Sequence, residues 1–270
     1  MHAEASRVRP AAVAGLFYAG DAATLEADVR RYLSEVEAPT GPPPKALIAP
    51  HAGLVYSGPI AASAYARVAP LRDVVRRVVL LGPCHRVAVR GLAAPSVDAF
   101  RTPLGLVPLD REALDRALAL PQVEVFDATH RDEHSLEVHL PFLQVVLGDF
   151  ALAPFVVGAA TPDEVADVLE LLWGGEETLI VVSSDLSHYL SHAEARRCDA
   201  ATCQAIEALR PDAIGRDAAC GRVPVGGLLE VARRRRLQVE TLDLRTSGDT
   251  AGDKSRVVGY GAWAFREPTS

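Results

Sequence analysis

Four short apolar runs limit what this chain can fold into more than any other feature. They are ALIA at 46–49, VVLLG at 78–82, APFVVG at 153–158 and LIVVSS at 179–184. Because these runs are almost unbroken, they are typical of strands that are covered on both faces, as in a parallel sheet. Helical patterns lie between them. The sequence therefore predicts one α/β domain over residues 1–270, with a single doubly wound, mostly parallel sheet and helices on both faces.

The predicted helices carry recognisable start and end signals. Apolar side chains at 25–36 follow helical spacing, and TPDE at 161–164 and SHAE at 191–194 are capping boxes. A further helix is predicted over 224–236, and it ends in four consecutive arginines at 233–236. Because a helix dipole stabilises cations at the C-terminus, we interpret these arginines as a solvated helix end. A nucleic-acid or lipid-binding patch is the alternative.

Composition limits the classes of function. The chain has 270 residues, of which 49% are hydrophobic, and its formal net charge is −7 at pH 7. An acidic chain is a poor candidate for binding nucleic acid, because neutralising phosphates requires cations. No apolar run approaches the roughly 18 residues that span a bilayer, and the first ten residues lack the apolar core of a secretory signal. We therefore expect a soluble cytoplasmic protein with reduced cysteines and without nucleic-acid or membrane partners.

Histidines directly follow three of the apolar runs. His51 comes after the first run, His85 after the second, and Asp185 and His188 after the fourth. In open α/β sheets, ligands bind outside the carboxyl ends of the strands. A single histidine at such a position is typical of a structural residue, but three strand ends with the same pattern favour one functional crevice.

Two kinds of chemistry fit these side chains. Neutral imidazole is a common nitrogen ligand of first-row metals, and a nearby carboxylate can orient it. Alternatively, His188 acts as a general acid–base group whose tautomer is held by Asp185. The residues alone leave both interpretations open.

Two cysteines lie close to these positions in the sequence. Cys220 precedes the predicted helix start at Pro224, where backbone N–H groups and the helix dipole favour a thiolate. It is therefore a candidate metal ligand or nucleophile, and a small buried turn residue is the alternative. Cys84 adjoins His85, and this adjacency does not fix whether its sulfur faces the site.

The segment DEHSLEVHLPF at 132–142 concentrates further donors: Glu133, His134, Glu137 and His139. It lacks the HExxH order of zinc proteases, and its two histidines, five positions apart, would lie on different faces of a helix. His134 and Glu137, three positions apart, can meet on one face. A role in supporting the ligands or facing the substrate and a surface hydrogen-bond network both remain open.

These segments together resemble the Memo family, whose prokaryotic members are known as protein B of the AmmeMemoRadiSam system. The resemblance covers residues 9–265 in collinear order and runs through RPAAVAGLFY, IAPHAGLVYSG, LGPCH, FRTPLG, DEHSLEVHLPF, VVSSDLSH, CGRVPVG, SGD and VVGYGA. It implies a fold like that of the class III extradiol dioxygenases, which are non-haem iron enzymes. It also implies that the protein works beside a radical-SAM enzyme and an Ammecr-type domain protein.

The resemblance also implies roles for individual residues. It places a metal at His51, His85 and Cys220, with Fe(II) as the expected ion and copper as the alternative. Asp185 and His188 would then be neighbouring catalytic groups that move protons. The residues implied to line or support the pocket are Glu133, His134, His139, Tyr56 and Cys84.

One difference from the extradiol dioxygenases bears on function. Those enzymes hold Fe(II) with two histidines and one carboxylate, whereas a thiolate is softer and also suits Cu(I). The resemblance therefore implies a redox-type, dioxygenase-like metal site more strongly than it implies a substrate. The other hypotheses are a metal-binding or peptide-binding scaffold without turnover, and a metal-independent hydrolase that uses Cys220, His188 and Asp185.

Overall fold

The strands and helices account for most of the chain. The computed structural model describes residues 7–38 and 40–268. The strands are β1 (Val8–Arg9), β2 (Ala46–Ala49), β3 (Arg77–Pro83), β4 (Leu92–Ala94), β5 (Ala99–Thr102), β6 (Gly105–Pro108), β7 (Val123–Val125), β8 (Ala151–Val157), β9 (Thr178–Ser183), β10 (His188–Leu190), β11 (Gln238–Thr246) and β12 (Val257–Arg266). The α-helices are α1 (Ala22–Ser34), α2 (Leu54–Tyr65), α3 (Arg111–Ala117), α4 (Asp127–Arg131), α5 (Leu140–Leu147), α6 (Pro162–Leu172), α7 (His192–Glu207), α8 (Arg222–Arg235) and α9 (Ser247–Thr250).

The main sheet has nine strands in the order β10-β12-β2-β9-β3-β8-β4-β7, with β11 also paired to β12. The central strands β2, β9, β3 and β8 are parallel neighbours, whereas β12 and β4 pair with this group in antiparallel fashion. Strands β1, β5 and β6 form a separate three-stranded sheet. The predicted α/β architecture with a large, mostly parallel sheet is confirmed. Within the described ranges, no helix has both the length and the apolar character needed to cross a membrane.

All four apolar runs form central strands. Strand β2 matches its run, and the other three strands differ from their runs by one or two residues at their ends. Every residue of β2 and β9 is buried. This burial on both faces is the physical reason why the runs do not alternate with polar residues.

Helix α8 begins earlier than its sequence pattern predicts. Its first residue is Arg222, two positions before Pro224, and Gly221 occupies the N-cap. The backbone there approaches β9 closely, because a Cβ on Gly221 would lie 2.4 Å from the Ser183 carbonyl oxygen. Glycine thus lets the start of α8 pack against the end of β9, and it places Cys220 directly before the N-cap.

The arginines at the end of α8 form ion pairs with acidic side chains. Arg233 pairs with Glu230 at 2.5 Å and Arg234 pairs with Asp163 at 2.7 Å. Arg235 pairs with Glu170. These contacts agree with a solvated helix end.

The segment at 132–142 is not one continuous helix. A 3-10 turn occupies Glu137–His139, and α5 follows from Leu140. His134 lies before this turn, so His134 and Glu137 do not share a helix face.

Glu137 belongs to a buried ion pair that connects the N-terminal strand to this segment. Arg9 donates to Glu137 Oε2 at 2.5 Å and to the carbonyls of His130 and Glu133, each at 2.6 Å. The Tyr18 hydroxyl donates to Glu137 Oε1 at 2.5 Å. Both members of the pair are buried. Because the guanidinium holds two backbone carbonyls, it fixes the path of the chain that leads to His134.

We predict that Arg9→Met lowers the free energy of unfolding by about 3–5 kcal/mol, because it leaves the Glu137 carboxylate buried without its partner. Urea denaturation followed by circular dichroism measures this loss. Arg30→Met is the matched control: Arg30 pairs with Glu26 on the surface of α1, and losing that pair should cost about 0–1 kcal/mol. Equal unfolding midpoints for Arg9→Met and the wild type would contradict the prediction.

Candidate metal centre

The carboxyl ends of three parallel strands lie side by side. Strand β9 is paired with β2 on one side and with β3 on the other. His51 follows the end of β2 by two residues, His85 follows β3 by two, and Asp185 follows β9 by two. The sheet order therefore brings three parts of the chain that are distant in sequence to one edge.

Three imidazoles form a cluster at this edge. His51, His85 and His134 each offer a nitrogen, and these atoms lie within 4.8 Å of one another. The ring centroids of His85 and His134 are 4.6 Å apart and the rings are stacked, while His51 meets both rings edge-on at 5.2 and 5.4 Å. In the described part of the chain, no other three histidine, cysteine or carboxylate side chains bring their ligand atoms this close together. The sequence expectation paired His51 and His85 with Cys220 and assigned His134 only to the pocket.

Cys220 lies beside the cluster, next to His51. Its sulfur is 3.4 Å from His51 Nε2, and it accepts a hydrogen bond from the Asp185 backbone N–H at 3.3 Å. Burial, followed by the nearby Asp185 carboxylate, raises the pKa of the Cys220 thiol to about 12. Loss of hydration thus opposes the effect of the helix start on this thiol as long as no metal is bound.

The Glu133 carboxylate accepts hydrogen bonds from two residues of the cluster, His85 and His134. Its Oε1 accepts from His85 Nδ1 at 2.8 Å and its Oε2 accepts from the His85 backbone N–H at 2.7 Å. The backbone N–H groups of His134 and Ser135 also donate to Oε1, each at 3.0 Å. Burial alone would raise the pKa of Glu133, but the hydrogen bonds and charge of His85 outweigh it and lower the pKa to about 2. Glu133 is therefore ionised, and because its Oε1 accepts from His85 Nδ1–H, the Nε2 atom of His85 is the one that can face a metal.

The other two imidazoles of the cluster are neutral. Burial, reinforced by the neighbouring histidines, lowers the pKa of His51 well below its ordinary value. Burial and then His85 lower the pKa of His134 to about 4. Neutral rings keep a lone pair for a metal at pH 7.

A metal ion fits these donors. His134 Nδ1 is buried and has no hydrogen-bond partner among the described residues. His85 Nδ1 donates to Glu133, which leaves its Nε2 as the donor toward a metal. Metal–imidazole bonds are about 2.1 Å long, so a slight closure of the cluster brings its nitrogens to a common ion.

Asp185 and His188 lie at the same edge, but they do not form the predicted pair. The His188 Nδ1–H group donates to the Leu186 carbonyl at 2.8 Å. Asp185 Oδ1 accepts from the His51 backbone N–H at 2.8 Å, and its Oδ2 lies 4.0 Å from His51 Nε2. Burial raises the pKa of Asp185 to about 6. The prediction that Asp185 fixes the tautomer of His188 is therefore wrong, because a backbone carbonyl does so.

Three further predicted pocket residues take different positions. The Cys84 thiol donates to the Val87 carbonyl at 2.6 Å, and Cys84 forms part of the wall of a pocket that His85 and Cys220 also line. Tyr56 is 40% exposed on α2. His139 is 1% exposed and lies behind the cluster, where it contacts Ser183 and Tyr65. Of the two roles expected for His139, lining or supporting the pocket, this position suits the supporting one.

Sequence reasoning missed two residues that contact the cluster. Ser183 ends β9 and lies 2.5 Å from His51 Nδ1. The ring of Phe17 lies 4.8 Å from that of His134. For Ser183, the available signal in the sequence was a polar residue at the end of an apolar strand. For Phe17, the only signal was its place in the motif RPAAVAGLFY.

A profile of the family described as Memo-like protein matches residues 9–264. The chain belongs to the Memo family. The chain is 37% identical over 265 residues to a MEMO1 family protein of Aquifex aeolicus, a match that covers 94% of this chain and 97% of that one. A MEMO1 family protein of Aeropyrum pernix is 38% identical over 285 residues, and this match covers 95% of this chain and 99% of that one.

A solved structure shares the fold of this Memo-family chain. It is the crystal structure of an uncharacterized protein from Escherichia coli K12, with a TM-score of 0.51 and 13% sequence identity. The match covers 80% of this chain and 98% of that protein. At this identity the likeness concerns the fold alone.

The neutral His139 ring predicts a pH dependence of stability. Burial lowers the pKa of His139 to about 3, whereas an unfolded chain has a histidine pKa of about 6.5. Its contribution to stability is therefore complete above pH 6.5 and is lost as the pH falls toward 3. In the wild type, this effect lowers the free energy of unfolding between pH 7 and 4.5, and we expect His139→Leu to reduce the decrease by about 2 kcal/mol. Urea unfolding at both pH values measures the difference. Parallel stability curves for variant and wild type would refute this.

Proposed function

We propose that this Memo-family protein is a metal-dependent redox enzyme of dioxygenase-like type, which binds Fe(II), with copper as the alternative. The observation that carries the proposal is the cluster of His51, His85 and His134 at the carboxyl ends of two parallel strands. Ligands bind at this place in open α/β folds, and the cluster offers imidazole nitrogens there.

Cys220 is proposed as a further ligand beside the imidazoles. A sulfur at about 2.3 Å and a nitrogen at about 2.1 Å from one tetrahedral ion lie about 3.5 Å apart. The Cys220 sulfur and His51 Nε2 are separated by 3.4 Å, which suits two ligands of a common ion. The proposed donors are therefore the three imidazoles, whose nitrogens lie within 4.8 Å of one another, with Cys220 as a fourth donor that has to move closer to the group when a metal binds.

Bound Fe(II) supplies a redox-active centre with positions for oxygen and substrate. The chain's own contribution is to position and move protons beside it. Asp185 is buried with a pKa of about 6, so it can exchange a proton near neutral pH. His188 has its Nδ1 occupied by the Leu186 carbonyl, which leaves Nε2 as its exchanging atom.

A pocket beside the cluster supports the enzyme interpretation. It has a volume of about 450 Å³ and lies between the loop after β3, the end of β8 and the start of α8. His85 and Cys220 form part of its wall, and Arg86, Val157 and Val223 form other parts. Its size lies in the range of small-molecule sites, and the mixed lining suits an organic substrate with a polar group.

A scaffold that binds metal or a peptide without turnover is the second candidate. Large apolar residues are exposed near the cluster, among them Leu16 and Val55. The Leu54 N–H donates to the Phe17 carbonyl, which holds these two loops together, and Phe17 contacts His134. For both candidates, we propose a radical-SAM enzyme and an Ammecr-type domain protein as partners, on the basis of the family resemblance. A metal-independent hydrolase that uses Cys220 with His188 is less well supported, because the Cys220 sulfur contacts His51 and burial raises the pKa of its thiol to about 12.

We expect purified apoprotein to bind one Fe(II) or Cu(I) in an anaerobic titration. His51→Ala, His85→Ala, His134→Ala and Cys220→Ala should each raise the Kd at least about tenfold, because each removes a proposed donor. His192→Ala is the control, since His192 pairs with Asp249 away from the cluster and should leave the Kd unchanged. Equal binding by all six proteins, including the wild type, would contradict the metal site.

A measurement of oxygen consumption distinguishes the enzyme from the scaffold without turnover. With Fe(II), oxygen and catechol-like compounds, an oxygen electrode should record consumption by the wild type. His188→Ala should bind Fe(II) like the wild type but consume oxygen at least about 100-fold more slowly, because it loses a proton-transfer group. Fe(II) binding without consumption under any of these conditions would favour the scaffold.

A further inference from the structure

Ser183 has an unusual set of buried contacts behind the cluster. Its Oγ lies 2.5 Å from His51 Nδ1, 2.7 Å from His139 Nε2 and 2.6 Å from the Ser135 carbonyl oxygen. On the far side of His139, the Tyr65 hydroxyl lies 2.7 Å from Nδ1. All of these side chains are buried. A single chain of contacts therefore leads from Tyr65 to the proposed metal ligand His51.

The contacts allow one consistent placement of protons. A carbonyl oxygen can only accept, so the Ser183 hydroxyl donates to Ser135. The Ser183 oxygen must then accept from both imidazoles, which places protons on His51 Nδ1 and His139 Nε2. His139 Nδ1 is bare in that tautomer, and it accepts from the Tyr65 hydroxyl. In this assignment, each of the four contacts from Tyr65 to His51 and Ser135 has one donor and one acceptor.

We propose that Ser183 is a positioning residue that locks His51 in its Nδ1–H tautomer, so that the bare Nε2 faces the metal position beside Cys220. This inference rests on the proposed function for the role of Nε2 as a ligand. The tautomer itself follows from the hydrogen bonds and does not require a metal. A fixed tautomer raises metal affinity because the ligand does not have to shed a proton or rotate before it binds.

The opposite tautomer is disfavoured by the same contacts. With its proton on Nε2, His51 would place a bare Nδ1 against Ser183, whose only proton already points to Ser135. Ser183 would have to abandon the carbonyl, and a buried acceptor without a partner is costly. No other side chain among the described residues is recorded as a hydrogen-bond partner of His51 Nδ1.

Tyr65 and His139 have a subordinate role in this arrangement. Tyr65→Phe would leave His139 Nδ1 without its donor, but Ser183 would still donate to the Ser135 carbonyl and accept from His139 Nε2–H. His51 Nδ1–H still has the Ser183 oxygen as its acceptor. The network therefore predicts that Tyr65→Phe leaves the tautomer of His51 unchanged.

The tautomers can be read directly in ¹⁵N-labelled apoprotein by long-range ¹H–¹⁵N correlation spectra, which separate protonated from bare ring nitrogens. We expect His51 to carry its proton on Nδ1 in the wild type and in Tyr65→Phe. In Ser183→Ala, the His51 signal should shift toward the Nε2–H form or an average of the two forms. Ser57→Ala is the matched control, because Ser57 is a buried serine whose hydroxyl donates to the Ala52 carbonyl instead of a ring.

Co(II) affinity provides the second readout. Ser183→Ala should raise the Co(II) Kd by about 10–100-fold, and Ser57→Ala should leave it unchanged. A wild-type His51 with its proton on Nε2 would overturn the inference, even if Ser183→Ala failed to fold. An unchanged tautomer and Kd in folded Ser183→Ala would also overturn it. If the wild type bound no metal while His51 kept its Nδ1 proton, the proposed function would fail and the tautomer lock would stand.

Discussion

Parallel pairing of β2, β9 and β3 is the constraint on which the rest of the site depends. Each strand is buried and hydrogen-bonded along its length, so its carboxyl end cannot move without breaking the centre of the sheet. The residues that follow these ends therefore start from fixed positions. His51 and His85 come from the two outer strands of this trio, and Ser183 and Asp185 come from the strand between them. A cluster built on strand ends is more rigid than one built on long loops.

Buried charge supplies the second level of organisation. The Glu133 carboxylate gathers His85 and the backbone of His134, and the Arg9 guanidinium holds the carbonyl of Glu133 itself. Arg9 is in turn paired with Glu137. Removing charges from water is costly, and here the cost is offset by hydrogen bonds to nearly every available atom. The arrangement stabilises a turn that would otherwise be free to carry His134 away from the other rings.

The sequence was most informative where the physics is local. Unbroken apolar runs predicted the central strands, capping boxes predicted the starts of α6 and α7, and the strand-end rule brought His51, His85 and Asp185 together. Features that depend on packing between distant segments were not predictable in this way. His134 joins the cluster only because Glu133 and Arg9 shape its turn, and the protonation of Cys220 depends on burial that no local pattern encodes. Ser183 acquires its partners from three other parts of the chain.

The central claim is that His51 and His85 reach one metal ion at the edge of the sheet. Anomalous X-ray diffraction at the iron edge, on crystals loaded with Fe(II) without oxygen, locates such an ion directly. The account predicts one strong anomalous peak within about 2.0–2.4 Å of both His51 Nε2 and His85 Nε2. Iron found only at surface carboxylates, with no peak between these two rings, would contradict it.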